Sequence, residues 1–233
     1  VSFEGAFEPL AAGQQQGLLQ MDGRWVTLWG IGREPNVPKP QIVIDPEALR
    51  GGQQAKVSIR LASASKAAAT GELSMEFKPS VPGKANDPAV QFPATGARTI
   101  SFTVSPDEAM ARFSGQTSTE LQTGTTAGSI VLTVKLGPYT EQLTTVVPSA
   151  PVVVDTARAT RVSSGIEVQV SGFDTSRSAS LLSFTFFDLY GRTVAPGVIQ
   201  VDAAKAFLDY FEKTDFGSMF TLRLTFPVQG DSK

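Results

Sequence analysis

The chain has 233 residues with no cysteine and no histidine, and its 20 Lys and Arg nearly balance 22 Asp and Glu, giving a formal charge of -2. These absences exclude disulfides, thiolate metal sites and histidine-based catalysis. The dispersed basic residues argue against a nucleic-acid partner. The length exceeds the roughly 150 residues of a typical domain, so we expect two main modules.

The first 39 residues are too short to form a module alone, and they contain a predicted β-hairpin. Strand-forming residues flank Asp22-Gly23, a dipeptide that favours a two-residue primed turn. The Pro-rich stretch 34–40 follows, and proline stiffens an extended chain and donates no ladder hydrogen bond. We therefore assign 1–39 as an N-terminal segment, and one interpretation of it is the end of a preceding module.

Two tryptophans lie in the second strand of this hairpin. Because side chains alternate along a strand, Val26 and Leu28 point to one face while Trp25 and Trp29 point to the other. If the tryptophan face is open, its rings can stack against sugar rings or a protein surface, so both are candidate ligand-binding residues. Burial against a core or a neighbouring module is the alternative, and we favour it because large aromatic side chains are usually mostly buried.

Alternating apolar residues predict antiparallel strands along the rest of the chain. Turn residues separate these runs and no long helices intervene, which favours sandwiches over α/β folds. A second Pro-rich stretch, 147–151, divides the pattern into a first sandwich over 40–148 and a second over 149–233. The alternating residues are Val57, Ile59, Leu61, Leu73, Met75, Phe77, Ile100, Phe102, Val104, Ile130, Leu132, Val134, Leu136, Ile166, Val168, Val170, Leu182, Phe184, Phe186, Leu222, Leu224 and Phe226.

One short helix is predicted near the C-terminus, over about 203–213. Asp202 is the expected N-cap, and an apolar stripe at helical spacing should cover one end or edge of the second sandwich. The stripe comprises Ala204, Phe207, Leu208 and Phe211. The predicted fold is therefore all-β, with tandem immunoglobulin-like antiparallel sandwiches and one short helix.

Several phrases of the sequence carry a family resemblance. They are Asp87-Pro88-Ala89-Val90-Gln91-Phe92, Leu121-Gln122-Thr123-Gly124-Thr125-Thr126-Ala127-Gly128 and Ser171-Gly172-Phe173-Asp174-Thr175-Ser176-Arg177. They resemble immunoglobulin-like β-sandwich modules of large secreted or surface proteins of environmental bacteria. The N-terminal phrases 9–14 and 28–32 are similar to the end of a choice-of-anchor type domain. The resemblance implies a non-catalytic extracellular module of a multidomain protein, with no shared active site to transfer.

Carboxylates are the remaining candidates for catalysis and metal binding. A pair of carboxylates is what glycoside hydrolysis needs, but charges opposite an aromatic stripe are normally solvated, so surface roles are favoured for the acids around the helix. Those acids are Asp202, Asp209, Glu212 and Asp215. Calcium needs several close oxygens, and its candidate ligands here are isolated, so turn roles are favoured for them. Those candidates are Asp87, Asp107, Glu108 and Asp174.

The leading hypothesis from the sequence is a non-catalytic structural or interaction module, extracellular or at the cell surface, that acts in adhesion or in filament assembly through edge strands. Its partners would be other domains of the same parent protein, further copies of itself or a surface polysaccharide. The alternatives are a carbohydrate-binding module using Trp25 and Trp29 and, less favoured, a carboxylate-dependent hydrolase. No metal, cofactor or membrane insertion is predicted. The polar end at 230–232 and the lack of a closing strand after Phe226 suggest a piece of a longer polypeptide.

Overall fold

The computed structural model describes residues 13–32, 36–81 and 86–228, and this part of the chain is mostly antiparallel β-sheet. The N-terminal phrase at 9–12, part of the first Pro-rich stretch and the polar end at 230–232 lie outside the described residues. The elements are β1 (Gly13–Met21), β2 (Arg24–Gly32), β3 (Pro40–Asp45), β4 (Gln54–Leu61), β5 (Ala69–Pro79), β6 (Val90–Gln91), β7 (Thr99–Val104), β8 (Thr119–Thr123), β9 (Gly128–Leu136), β10 (Tyr139–Val147), β11 (Val153–Val162), β12 (Gly165–Phe173), β13 (Leu181–Phe187), β14 (Thr193–Asp202), α1 (Ala204–Lys213) and β15 (Met219–Phe226).

The strands fall into three groups that share no ladder with one another among the described residues. β1 and β2 form a separate hairpin. Strands β3 to β10 form two four-stranded sheets, in the orders β3-β4-β8-β6 and β10-β9-β5-β7, which we call the first unit (36–147). Strands β11 to β15 form a three-stranded sheet, β11-β12-β15, and a two-stranded sheet, β13-β14, which with α1 we call the second unit (148–228). The change of sheet falls within the second Pro-rich stretch and the residues just after it.

The first unit has a closed apolar core between its two sheets. Every alternating residue that the sequence pattern identified between 57 and 136 is buried, and none exposes more than 8% of its surface. Phe102 and Phe113 meet at the centre with their rings 5.7 Å apart. The period-two pattern is thus confirmed here both for the strands and for the faces that they bury.

The second unit follows the same pattern but buries much less of it. Its main core is a small cluster of Ala203, Phe207, Phe211 and Phe220. The two sheets also meet where Phe184 and Phe186 contact Phe226, at ring separations of 5.0 and 5.1 Å. Of the predicted alternating residues in this unit, Val168 is buried and the others are half-buried. Two strands cannot cover a three-stranded sheet, and β11 is exposed along almost its whole length.

The predicted helix is confirmed as α1, with two corrections. Its N-cap is Ala203, one residue later than expected, because Ala203 packs into the small core. The Asp202 carboxylate still accepts a hydrogen bond from the Ala204 N–H at 3.0 Å. Ala204 and Leu208 leave the apolar stripe and are exposed, because the helix packs on the core through Phe207, Phe211 and the partly buried Tyr210. No helix in the described part of the chain has both the length and the apolar character to cross a bilayer.

Candidate functional site

The hairpin has the turn that the sequence predicts. Asp22 and Gly23 have φ values of 48° and 75°, so both central residues are left-handed, as a two-residue primed turn requires. Met21 then pairs with Arg24, and the register continues without a break to the pair of Gly13 and Gly32. The result is a regular ribbon of two nine-residue strands.

The tryptophan face of this ribbon is open. Trp25 and Trp29 are each 64% exposed, and Leu18 and Ile31 on the same face are 63% and 77% exposed. Trp29 lies four positions after Trp25 in β2, which places the two side chains about 14 Å apart along the ribbon. The expected burial of the rings is wrong for this chain, because neither strand of the hairpin joins a sheet with any other described strand.

The opposite face of the hairpin is also uncovered. Val26 is 43% exposed and Leu28 is 36% exposed, so the face that was expected to feed a core meets none within the described part of the chain. The charged residues of the described ribbon, Asp22 and Arg24, both lie at or beside its turn. Away from the turn, the ribbon carries no charge and exposes apolar side chains on both faces.

A second candidate site is the polar joint between the two units, and its centre is the Asp87 carboxylate. Asp87 is only 1% exposed. Its Oδ2 accepts hydrogen bonds from the N–H groups of Thr125 and Thr126 at 2.6 and 2.9 Å, and from the Thr125 hydroxyl at 3.2 Å. Its Oδ1 accepts one from the Ala89 N–H at 3.1 Å. The carboxylate therefore ties two loops of the first unit together.

The second unit closes over these loops with its own backbone and hydroxyl groups. The Ser218 N–H donates to the Thr125 hydroxyl, and the hydroxyls of Ser218 and Thr126 share a hydrogen bond, both at 3.0 Å. A Cβ at Gly217 would lie 2.6 Å from Asp87 Oδ2, so only glycine allows this approach. Loop 124–128, which the sequence predicts to connect two strands, is thus also the surface on which the second unit sits.

Arg177 and Asp174 stiffen the second unit's side of the joint. Arg177 donates to the Gly217 carbonyl at 2.7 Å and to the Ser218 hydroxyl at 3.2 Å, and its guanidinium lies 5.2 Å from the centre of the Phe211 ring. Burial lowers the pKa of Arg177, while the charges of Asp87 and Asp215 oppose that shift. Asp174 is fully buried and accepts four hydrogen bonds from the turn that presents Arg177.

The three phrases that carry the family resemblance all contribute to this joint. They supply Asp87, the pair of Thr125 and Thr126, and Arg177. Ser218 is the residue that sequence reasoning missed, because a single serine before a strand has no distinguishing pattern. The available signal was indirect: an acid before proline and a charge-free Gly-Thr-Thr loop are both suited to a buried hydrogen-bonded contact.

The acids around the helix have local roles. Lys205 pairs with Asp209 at 2.8 Å, and this hydrogen bond lowers the pKa of Asp209. Glu212 and Asp215 are exposed, and Asp202 caps the Ala204 N–H. These contacts match solvated or structural carboxylates, and none of them favours the hydrolase hypothesis.

The calcium candidates are engaged in turns and ion pairs. The Asp87 contact with the Ala89 N–H confirms the turn role expected for Asp87, and Asp107 occupies a left-handed position with φ of 63°. Glu108 accepts two short hydrogen bonds from Arg112, at 2.6 and 2.9 Å. Within the described ranges, no three acidic residues lie close enough together to hold a metal ion.

Comparisons with known proteins give this chain no family. No family model matches it, and no curated protein matches it. It is similar to the crystal structure of Spo0M, a sporulation control protein from Bacillus subtilis, at 11% sequence identity, covering 81% of this chain and 90% of that one, with a TM-score of 0.29. A TM-score of that size does not establish a common fold.

Proposed function

We propose that the chain is a non-catalytic structural and interaction module, part of a larger extracellular or cell-surface bacterial protein, built from tandem immunoglobulin-like sandwiches. The antiparallel sheets and the family resemblance are consistent with this role. The observation that carries the proposal is the buried joint centred on Asp87, which fixes one unit against the other without leaving a reactive group free.

The chemistry of the joint makes it stiff. Bending would pull Ser218 away from Thr125 and Thr126 and would leave buried donors and acceptors without partners, at a cost of about 1–3 kcal/mol for each group. The Pro-rich linker is held as well, since the Ala150 N–H donates to the Thr175 hydroxyl at 2.8 Å. A module that positions or spaces other domains needs such a fixed angle between its units.

The Asp87→Ala variant tests this proposal. We expect it to lose about 2–4 kcal/mol of stability, because it leaves the N–H groups of Thr125 and Thr126 buried without an acceptor. Small-angle X-ray scattering should show a wider range of inter-unit distances, and limited proteolysis should cut faster within 148–152. The control is Glu120→Ala, which removes an exposed carboxylate from the end of β8. An Asp87→Ala protein with unchanged scattering and cleavage would contradict the stiff joint and remove the main support for the proposal.

A second candidate function is binding of carbohydrate, and the exposure of Trp25 and Trp29 favours it. Both tryptophans of the chain lie in the hairpin, so intrinsic emission reports on that surface directly. Titration with soluble polysaccharides should then give a saturable blue shift or quench that is lost in Trp25→Ala and in Trp29→Ala. The control Val146→Ala changes an exposed apolar residue of the first unit. Emission that is indifferent to every polysaccharide would count against this function.

A further inference from the structure

Exposed apolar residues are concentrated in two parts of the chain. Among the described residues, twenty-one large hydrophobic side chains are exposed; seven lie in the hairpin and thirteen in the second unit. The first unit contributes one, Val146. Soluble domains rarely leave such patches uncovered, and contiguous ones mark interaction surfaces. The chain therefore has two separate apolar surfaces joined by a unit that has almost none.

The surface on the second unit is an open cleft. β13 and β14 cover β15 through Phe184, Phe186 and Phe226, and they leave the inner face of β11 bare. The residues of β11 on that inner face, opposite the half-buried and buried residues of β12, are Val154, Ala157, Ala159 and, at its end, Arg161. A cavity of about 1030 Å³ continues from there, between the β11-β12 turn and the loop after β13. Its apolar lining residues are Val162, Ile166, Phe187, Leu189, Tyr190 and Val228, and the charged Arg161 and Asp188 also line it.

The hairpin has the length and chemistry to fill this space. Each of its strands has nine residues and β11 has ten, so both extend about 30 Å. The two-stranded sheet β13-β14 has too few strands to cover the three-stranded sheet β11-β12-β15 opposite it. The β1-β2 hairpin would add two strands to the smaller sheet by pairing with one of its edge strands. The ribbon carries charge only at and beside its turn, so its body brings no ion of its own into the cleft, and the charges there are Arg161 and Asp188 at the end nearest the β11-β12 turn.

The available area favours a strand-like contact over a flat one. Aromatic side chains present about 150–250 Å² each, so two tryptophans at 64% exposure offer roughly 190–320 Å². A stable interface needs about 800 Å² from each partner. The tryptophans alone fall well short of this, and the rest must come from Leu18, Ile31 and the paired backbone of the hairpin. A hairpin that only rested on a surface would not reach the required area.

We propose that the hairpin of one copy docks, tryptophan face inward, over the uncovered inner face of β11 and β12 in the second unit of another copy. This proposal rests on the interaction role proposed above and names its partner as a second copy of the chain. Donor and acceptor are different surfaces of the molecule, so the contact is head-to-tail, and repeated contacts form a ring or a filament.

Sedimentation velocity of the full chain over a concentration series tests the docking, with tryptophan emission measured on the same samples. We expect larger species at higher concentration together with a blue shift, because the exposed rings become buried. The donor variant is Trp25→Ser with Trp29→Ser, and the acceptor variant is Ala157→Lys with Ala159→Lys. Each should weaken association by at least roughly 30-fold. Val146→Ser is the matched control and should associate like the wild type.

Mixing the two variants gives a sharper test, because each retains one intact surface. The acceptor variant still has a hairpin and the donor variant still has a cleft, so together they should form a one-to-one dimer that grows no further. The cysteine-free chain also allows cross-linking: Thr27→Cys on one copy and Ala159→Cys on another should join through a short bismaleimide. Circular dichroism and thermal unfolding serve as controls that check whether each of these variants is still folded.

Several outcomes would overturn the docking. A chain that stays monomeric up to about 1 mM with red-shifted emission would show that no second copy covers its tryptophans, and would reject the docking. Variants that associate like the wild type, or variants that fail to complement each other when mixed, would also reject it. A blue shift that appears with polysaccharide in a monomeric chain would show that the tryptophan face of the hairpin binds carbohydrate and not a second copy. If the chain is monomeric but the Asp87 joint proves stiff, only the docking is overturned. If the chain associates but the joint proves flexible, only the function proposed above is overturned.

Discussion

The two units have the same alternation of apolar residues and differ in how much of it they cover. In the first unit, four strands face four strands, and residues such as Leu132 and Val134 are completely buried. In the second unit, two strands face three, and equivalent positions such as Leu182 and Leu224 stay half-exposed. Period-two patterning therefore determines which face of a strand is apolar, but the number of strands in the opposite sheet determines whether that face is buried.

The largest difference between the two units is expected in the stability lost when a core leucine is replaced by alanine. Leu132→Ala in β9 should cost about 3–5 kcal/mol, because the site is fully buried on both sides by neighbouring strands and leaves a cavity. Leu224→Ala in β15 should cost about 1 kcal/mol, because solvent already reaches the side chain. Urea denaturation gives the two free energies, and hydrogen exchange by mass spectrometry assigns each loss to its unit. Equal losses would mean that the second unit is as closed as the first.

Much of the fold was predictable from local signals. The Asp22-Gly23 turn, the strands of the first unit and the helix at 204–213 each depend on residues that are close in sequence. Coverage of the second unit was not predictable, because it depends on how many strands pack together over the whole unit. The exposure of Trp25 and Trp29 was missed for the same reason: burial was expected from a general tendency of tryptophan, and the hairpin joins no other strand among the described residues.

The next largest effect is expected from replacing either of two glycines that both have a positive φ angle. Gly124 and Gly137 have φ values of 69° and 56°, so alanine is strained at both. A Cβ at Gly137 meets nothing within 4 Å, whereas one at Gly124 would lie 2.6 Å from Asp87 Oδ2. We expect Gly137→Ala to lower the free energy of unfolding by about 1 kcal/mol and Gly124→Ala by about 3 kcal/mol. Small-angle X-ray scattering should show a wider range of inter-unit distances only for Gly124→Ala. Similar losses with unchanged scattering would show that the joint does not depend on this close approach.

The joint was the least predictable part of the molecule. Asp87 and Ser218 are separated by 131 positions, and the sequence pattern assigns the first to a turn and the second to nothing. The turn assignment was correct, since Asp87 does accept from the Ala89 N–H. Its second oxygen, however, serves loop 124–127, and no local rule identifies which distant backbone donors a buried carboxylate will meet.

The smallest expected effect concerns one exposed ion pair in each unit. Arg112 lowers the pKa of Glu108 in the first unit, and Lys205 lowers that of Asp209 in the second, each by a hydrogen bond to the carboxylate. A carboxylate with a depressed folded pKa stabilises the fold above its unfolded pKa, and this contribution is lost as pH falls through the folded value. Arg112→Gln and Lys205→Gln should therefore raise the respective carboxylate pKa in NMR titrations.

These two pairs also sharpen the comparison of the units. Solvent reaches both pairs and screens them, so each variant should change the free energy of unfolding only slightly at neutral pH. Below the folded pKa of its carboxylate, each variant should match the wild type. We expect the two variants to lose equal amounts of stability. The units would then differ in how well their apolar residues are covered and not in the strength of these ion pairs. A markedly larger loss for Lys205→Gln would instead mean that the weakly covered second unit depends on its surface ion pairs.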